Sequence, residues 1–148
     1  MGIDPTSLPL KAQLRMPDKY AGMNGVEKEW ALQLESVQRS GNGLPWWDHS
    51  VVKWRFEPLT FRLAKATTYR PDFMVLRHDG AVELHEIKQV RKKHQSGRSG
   101  WMSASAVKFK TCAELYPEFV WVACEKQLDG TWTTTRAEDL FKRKGGKG

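Results

Sequence analysis

Pro71-Asp72-Phe73-Met74-Val75-Leu76, an Asp79-Gly80 turn, and Val82-Glu83-Leu84-His85-Glu86-Ile87-Lys88 form the stretch on which the fold turns. Apolar residues on either side of an Asp-Gly pair predict a β-hairpin. In such a hairpin Asp72 and Glu86 come from different strands and can meet at one end of a sheet. Glu86 and Lys88 are two residues apart, so both side chains leave the strand on one face. Val82 and Leu84 share that face, and Glu83, His85 and Ile87 take the other. Two carboxylates are what a hard divalent cation needs. An amine beside that cation can hold or deprotonate a water. Together these groups are the minimum equipment for hydrolysing a phosphodiester.

Upstream, Asn24 is placed to cap a helix, with Glu27 completing a capping box. Val26, Trp30, Ala31, Leu34 and Val37 then recur at helical spacing up to Gly41-Asn42-Gly43. Glu27 borders the apolar stripe, so it is either a capping residue or a carboxylate aimed inward at the site. Beyond Pro45 the period shortens to that of strands. Val52, Trp54 and Phe56 alternate with Lys53 and Arg55, and Leu59, Phe61 and Leu63 with Thr60 and Arg62. The next strand is expected to run from Thr67 through Tyr69 and Phe73 to Leu76.

Downstream, residues 95–100 read as a flexible loop of Gly, Ser, Arg and Gln. A helix is predicted from about Ser103 to Tyr116, with Ala106, Val107, Phe109, Ala113 and Leu115 as its apolar contacts. Phe119 to Cys124 reads as an interior strand. An Asp129-Gly130 turn leads into Thr131–Thr135, and a short helix from Ala137 to Phe141 closes the order. The expected fold is α/β, a central mixed β-sheet flanked by helices. Residues 1–23, with three prolines, form an irregular arm in which Pro17-Asp18 is a turn or helix start. Residues 24–141 make one domain, and 142–148 a basic tail.

The chain has 148 residues and 40% hydrophobic content, and no apolar run approaches the ~20 residues that span a bilayer. No membrane partner and no signal peptide are expected. Two cysteines, Cys112 and Cys124, without paired spacing argue against a structural zinc site or a disulfide framework. They fit reduced thiols in the cytoplasm. The four histidines show no metal-ligand spacing, and His85 is read as a packing residue. The net charge of +7 suits a polyanion. Lys88, Arg91, Lys92, Lys93, His94 and Arg98 form one basic cluster, placed to touch substrate backbone. The tail is either a second such patch or simply solvated.

The chemistry implied by the hairpin is Mg²⁺-dependent, with Asp72, Glu86 and the Ile87 carbonyl as ligands, and Glu27 as a further carboxylate or the holder of a second ion. Lys88 stands beside the attacking water. Gln89 contacts the metal-bound water or phosphate, or is a plain strand residue. Trp30, Trp54, Trp121 and Trp132 are read as core. Trp101, at the end of the Gly/Arg/Ser loop, is the aromatic preferred for stacking on nucleic-acid bases.

Asn24-Gly25-Val26-Glu27, Tyr69-Arg70-Pro71-Asp72-Phe73 and His85-Glu86-Ile87-Lys88 resemble motifs of the PD-(D/E)XK nuclease superfamily, in particular its small phage-encoded endonuclease-like proteins. The resemblance spans Asn24 to about Cys124. It implies a restriction-endonuclease-like core, Mg²⁺- or Mn²⁺-dependent DNA cleavage, and functional roles for Glu27, Asp72, Glu86 and Lys88. Lys108-Phe109-Lys110 sits where such proteins place helix residues that assist the site. Many relatives have glycine after the lysine, whereas this chain has Gln89. An endodeoxyribonuclease acting on duplex or branched DNA is the leading expectation. It would work as a homodimer, with Trp46-Trp47 available to an interface, in the host cytoplasm if phage-encoded. A noncatalytic DNA-binding subunit and an RNA-directed nuclease are the alternatives.

Overall fold

Asn24 and Glu27 start the first helix by satisfying each other. In the computed structural model, which describes residues 18–40, 51–93, 101 and 103–142, Asn24 Oδ1 accepts from the Glu27 N–H at 2.9 Å. Glu27 Oε1 accepts from the Asn24 N–H at the same distance. This reciprocal pair is the capping box the sequence predicts. The helix α1 runs Gly25–Ser40 and buries Trp30, Ala31, Leu34 and Val37 along one stripe. Before it, Asp18 opens a turn, its Oδ1 accepting from the Tyr20 N–H at 2.9 Å.

The strands are β1 Lys53–Phe56, β2 Phe61–Ala64, β3 Thr67–Tyr69, β4 Phe73–Leu76, β5 Val82–Gln89, β6 Val120–Lys126 and β7 Trp132–Arg136. The helix α2, Ala104–Leu115, lies between β5 and β6, and α3, Ala137–Leu140, follows β7. Five strands form a sheet in the order β1-β4-β5-β6-β7, while β2 and β3 make a separate two-stranded sheet. β5 and β6 are parallel and the other neighbours antiparallel. The fold is therefore α/β, with a mixed sheet flanked by helices. The parallel pair requires a crossover connection, and α2 supplies it.

The alternation along β5 divides the core in two. Ile87 joins Trp30, Leu34, Phe73, Val75 and Trp132 on the α1 face. Leu84 joins Phe61, Tyr69, Trp101, Phe109 and Trp121 on the α2 face. Trp30, Trp54, Trp121 and Trp132 are buried, as the sequence predicts. Asp79 and Gly80 close the β4–β5 hairpin. Asp79 Oδ1 accepts from the Ala81 N–H at 3.0 Å, and Gly80 takes a φ of 86° that a side chain would resist.

Two expectations are corrected. The stretch from Thr67 to Leu76 is two strands in different sheets, broken at Arg70-Pro71-Asp72. Pro71 has no N–H to give a ladder, and the chain uses the break to pass from the small sheet to the large one. On α2, Val107 and Leu115 are exposed, 56% and 51%, because they fall off the stripe made by Ala106, Phe109 and Cys112. The N-terminal arm up to Pro17, Trp46-Trp47 and the tail beyond Lys142 lie outside the described residues. Among the described residues no helix is long and apolar enough to cross a membrane.

Candidate active site at the end of strand β4

β4 stops where β5 continues. Their last paired residues are Phe73 and His85, yet β5 runs on to Gln89 alongside β6. The β4-side edge of β5 beyond His85 therefore needs partners from elsewhere. Asp72 supplies one: its Oδ2 accepts from the Ile87 N–H at 2.7 Å. The N–H and C=O of one residue leave an extended strand on the same edge. The Ile87 carbonyl thus opens on the side that Asp72 occupies. The Asp72 carbonyl is held in turn by the Glu57 N–H at 2.8 Å, with Glu57 at a left-handed φ of 47°.

The period of two brings Glu86 and Lys88 onto the α2 face. Glu86 is 5% exposed. Tyr69, from β3, donates its hydroxyl to Glu86 Oε2 in a short hydrogen bond. Lys88 Nζ lies 3.5 Å from Glu86 Oε1 and donates to Ser105 Oγ at 2.6 Å. Ser105 sits in the first turn of α2, whose N-cap Ser103 accepts from the Ala106 N–H at 3.3 Å. The ammonium is thus aimed by a helix start rather than left free.

The electrostatics are those of crowded carboxyls. Burial, then the charge of Glu86, pushes the Asp72 carboxyl up to about 9, against the pull of the Ile87 N–H. Glu27 adds to that rise through its charge and a side-chain hydrogen bond to Asp72, so the capping glutamate also reaches the site. Burial likewise raises Glu86, outweighing the hydrogen bonds from Tyr69 and Lys88. The Tyr69 phenol is raised by burial and by Glu86. Asp72 and Glu86 titrate as a pair, and near neutrality the ion-free pair retains a proton.

Glu27, Asp72, Glu86, Ile87 and Lys88 are therefore brought together as expected. Gln89 is exposed at the end of β5, and Arg91, Lys92 and Lys93 are exposed just beyond it. Arg98 lies outside the described residues. Lys108 is half-buried on α2, one turn from Ser105 on the same side. Lys110 lies further round the helix, its Nζ 5.4 Å from the Phe141 ring centroid, so it packs toward α3 instead of the site. Trp101 is also corrected. It is 2% exposed and packs on Phe109 with ring centroids 5.3 Å apart, which removes it as a base-stacking surface. Its ring instead lies 5.7 Å from Lys88 Nζ.

His85 is a packing residue, as read from the sequence. It is fully buried, and its Nδ1 accepts from Trp30 Nε1–H at 3.1 Å. That leaves the proton on Nε2, 2.8 Å from Glu83 Oε1. Glu83 Oε2 is 3.2 Å from Arg77. This polar chain lies on the α1 face and ties the hairpin to α1.

Tyr69 and Ser105 are site residues that sequence reasoning missed. Tyr69 offered one signal, its place two residues before Pro71. Ser105 offered none, because its partner is 17 residues away. Two clefts lie elsewhere, of about 210 Å³ beside Pro117 and Arg136 and about 590 Å³ beside Lys19 and Trp54. Neither is lined by Asp72, Glu86 or Lys88.

The residues can be tested against a divalent ion. Among the described residues no three His, Cys, Asp or Glu side chains stand as a ready-made metal cage. Mg²⁺ does not require one, since it keeps several waters and takes one or two carboxylates. Asp72, Glu86 and the Ile87 carbonyl are hard oxygens. Two adjacent carboxyls that hold a proton for want of positive charge are the chemistry such an ion relieves. No family model, no curated protein and no solved structure matches this chain.

Proposed function

We propose that this chain is a metal-dependent endonuclease hydrolysing DNA phosphodiester bonds, with a site of the PD-(D/E)XK type. The observation that carries the proposal is the bond from the Ile87 N–H to Asp72 Oδ2. It draws Asp72 against Glu86, with Lys88 beside them. The net charge of +7 and the exposed run Arg91-Lys92-Lys93 after Lys88 support a polyanionic substrate. DNA as partner, a homodimeric working form and a cytoplasmic setting belong to the same proposal.

Mg²⁺ or Mn²⁺, held by Asp72, Glu86 and the Ile87 carbonyl, would supply positive charge at the phosphate and lower the pKa of water. The protein's own groups do the rest. Lys88 has three donors, of which Ser105 and Glu86 occupy two. The third can hold a water or a phosphate oxygen. The proton retained by Asp72 and Glu86 must leave before both can act as ligands, which favours activity as pH rises. Glu27, beside Asp72, can orient a second water.

One observation favours a second reading, a noncatalytic DNA-binding subunit. Tyr69, the Ile87 N–H, Lys88 and Ser105 satisfy the carboxylates and the ammonium from within the protein. The test is incubation with supercoiled, single-stranded and four-way-junction DNA, and with RNA, in Mg²⁺, Mn²⁺ or EDTA, with Asp72→Asn and Lys88→Ala in parallel. Metal-dependent cutting of DNA that both variants lose supports the nuclease. Tight binding with no cutting in any condition supports the subunit, and cutting confined to RNA replaces the substrate.

A further inference from the structure

The two-stranded sheet has faces of opposite character. Phe61 and Tyr69 are register partners, and both are buried in the core on the α2 side. Phe61 packs on Tyr116 and Trp121, with ring centroids 4.9 and 5.1 Å apart. The Tyr116 hydroxyl donates to the Arg62 carbonyl at 2.6 Å, which fastens the ribbon to the end of α2. The period of two then turns Arg62 and its partner Thr68 outward, and both are exposed. Thr60 and Arg70 continue that face, Arg70 Nε donating to Thr60 Oγ1 at 3.3 Å. Lys65 is exposed in the turn between the strands.

The outer face carries one sign of charge. Residues 58–71 include Arg62, Lys65 and Arg70 and no Asp or Glu. Of these cations only Arg70 meets a carboxylate among the described residues, Glu57 at 3.8 Å. Both side chains of that pair are exposed, so the contact is weak and can yield to a phosphate. Arg62 and Arg70 stand diagonally across the ladder, about 7–8 Å apart. A DNA strand presents a phosphate every ~3.4 Å along the duplex axis, so the two guanidiniums reach different phosphates. The ribbon also adjoins the site. Tyr69 points inward to Glu86, Arg70 follows it outward, and Asp72 comes two residues later.

We infer that the β2–β3 ribbon is a backbone-binding surface for duplex DNA, on which Arg62, Lys65 and Arg70 hold phosphates that flank the one at the site. The inference rests on the proposed reading of DNA as the partner. It is tested by fluorescence anisotropy of a labelled duplex of about 25 base pairs, in EDTA so that nothing is cut, from roughly 50 to 200 mM salt. Arg62→Gln, Lys65→Gln and Arg70→Gln should each weaken binding. Each should also make the slope of log affinity against log salt shallower by about 0.9, the value of one lost phosphate contact. Arg70→Lys keeps the charge and should keep the slope. Arg39→Gln removes an exposed cation from α1, on the opposite face of the large sheet, and should leave the slope unchanged. Unchanged slopes in all three ribbon variants overturn the inference and leave DNA binding standing. An equal loss in Arg39→Gln also overturns it, since net charge rather than this surface would then be responsible. A wild type that binds no duplex overturns both the ribbon's role and the reading of DNA as partner.

Discussion

The Ile87 N–H and the Asp72 carboxylate meet at 2.7 Å, at the point where β4 ends and β5 runs on. The Asp72 side chain supplies the acceptor that a continued β4 would have offered the Ile87 N–H. The same arrangement places an acid against Glu86. A structural need of the sheet edge and the crowding of charge thus have one cause.

The first prediction concerns pH and stability. The Asp72 carboxyl lies at about 9 in the fold against an ordinary 3.8. Between those values the folded chain holds a proton that the unfolded chain has released. Its stability must therefore fall as pH rises through that window, by at most about 1.4 kcal/mol per pH unit for one proton. Glu86 shifts in the same direction. Thermal melts in EDTA from pH 4 to 9 should show the decline. Asp72→Asn should flatten it, and Mn²⁺ should flatten it in the wild type.

Lys88 should separate chemistry from binding. Lys88→Ala is expected to slow cleavage by about 10²–10⁴-fold, the usual range for a proton-handling group. DNA affinity in a gel-shift assay should change far less, because Arg91, Lys92 and Lys93 remain. Equal losses in rate and affinity would make Lys88 a phosphate anchor only.

Glu27 caps α1, and substitution can divide that job from the one proposed for it beside Asp72. Glu27→Gln keeps an acceptor for the Asn24 N–H and should leave the melting temperature nearly unchanged while activity falls. Glu27→Ala loses the capping bond as well and should destabilise the fold by about 1 kcal/mol. Unaltered activity in Glu27→Gln would confine the residue to capping.

Trp101 provides a test of the corrected assignment. As a buried ring against Phe109, its replacement by alanine should destabilise the protein by about 3–5 kcal/mol in urea unfolding. A surface aromatic would give under about 0.5 kcal/mol.

Much of the site was legible because its logic is local. Asn24 and Glu27 are a three-residue capping pattern, Asp79-Gly80 is a two-residue turn, and Glu86 and Lys88 share a face by the period of a strand. The break at Arg70-Pro71-Asp72 was harder, since apolar alternation resumes on both sides and conceals the change of sheet. Trp101 was misread because loop composition says nothing about what packs over a ring. Lys108 and Lys110, two residues apart on a helix, point in different directions, and Lys110 turns toward Phe141. Tyr69 and Ser105 act through partners 17 residues away in each case, a distance that pattern alone does not bridge.

The most direct measurement is the nicking rate of supercoiled plasmid in Mn²⁺ for the wild type beside Asp72→Asn, a variant that can still accept the Ile87 hydrogen bond. The wild type should nick DNA, EDTA should stop it, and Asp72→Asn should be folded and at least about 10³-fold slower, as expected for loss of a ligand to the catalytic ion. A folded Asp72→Asn that nicks at the wild-type rate would contradict the assignment of this site.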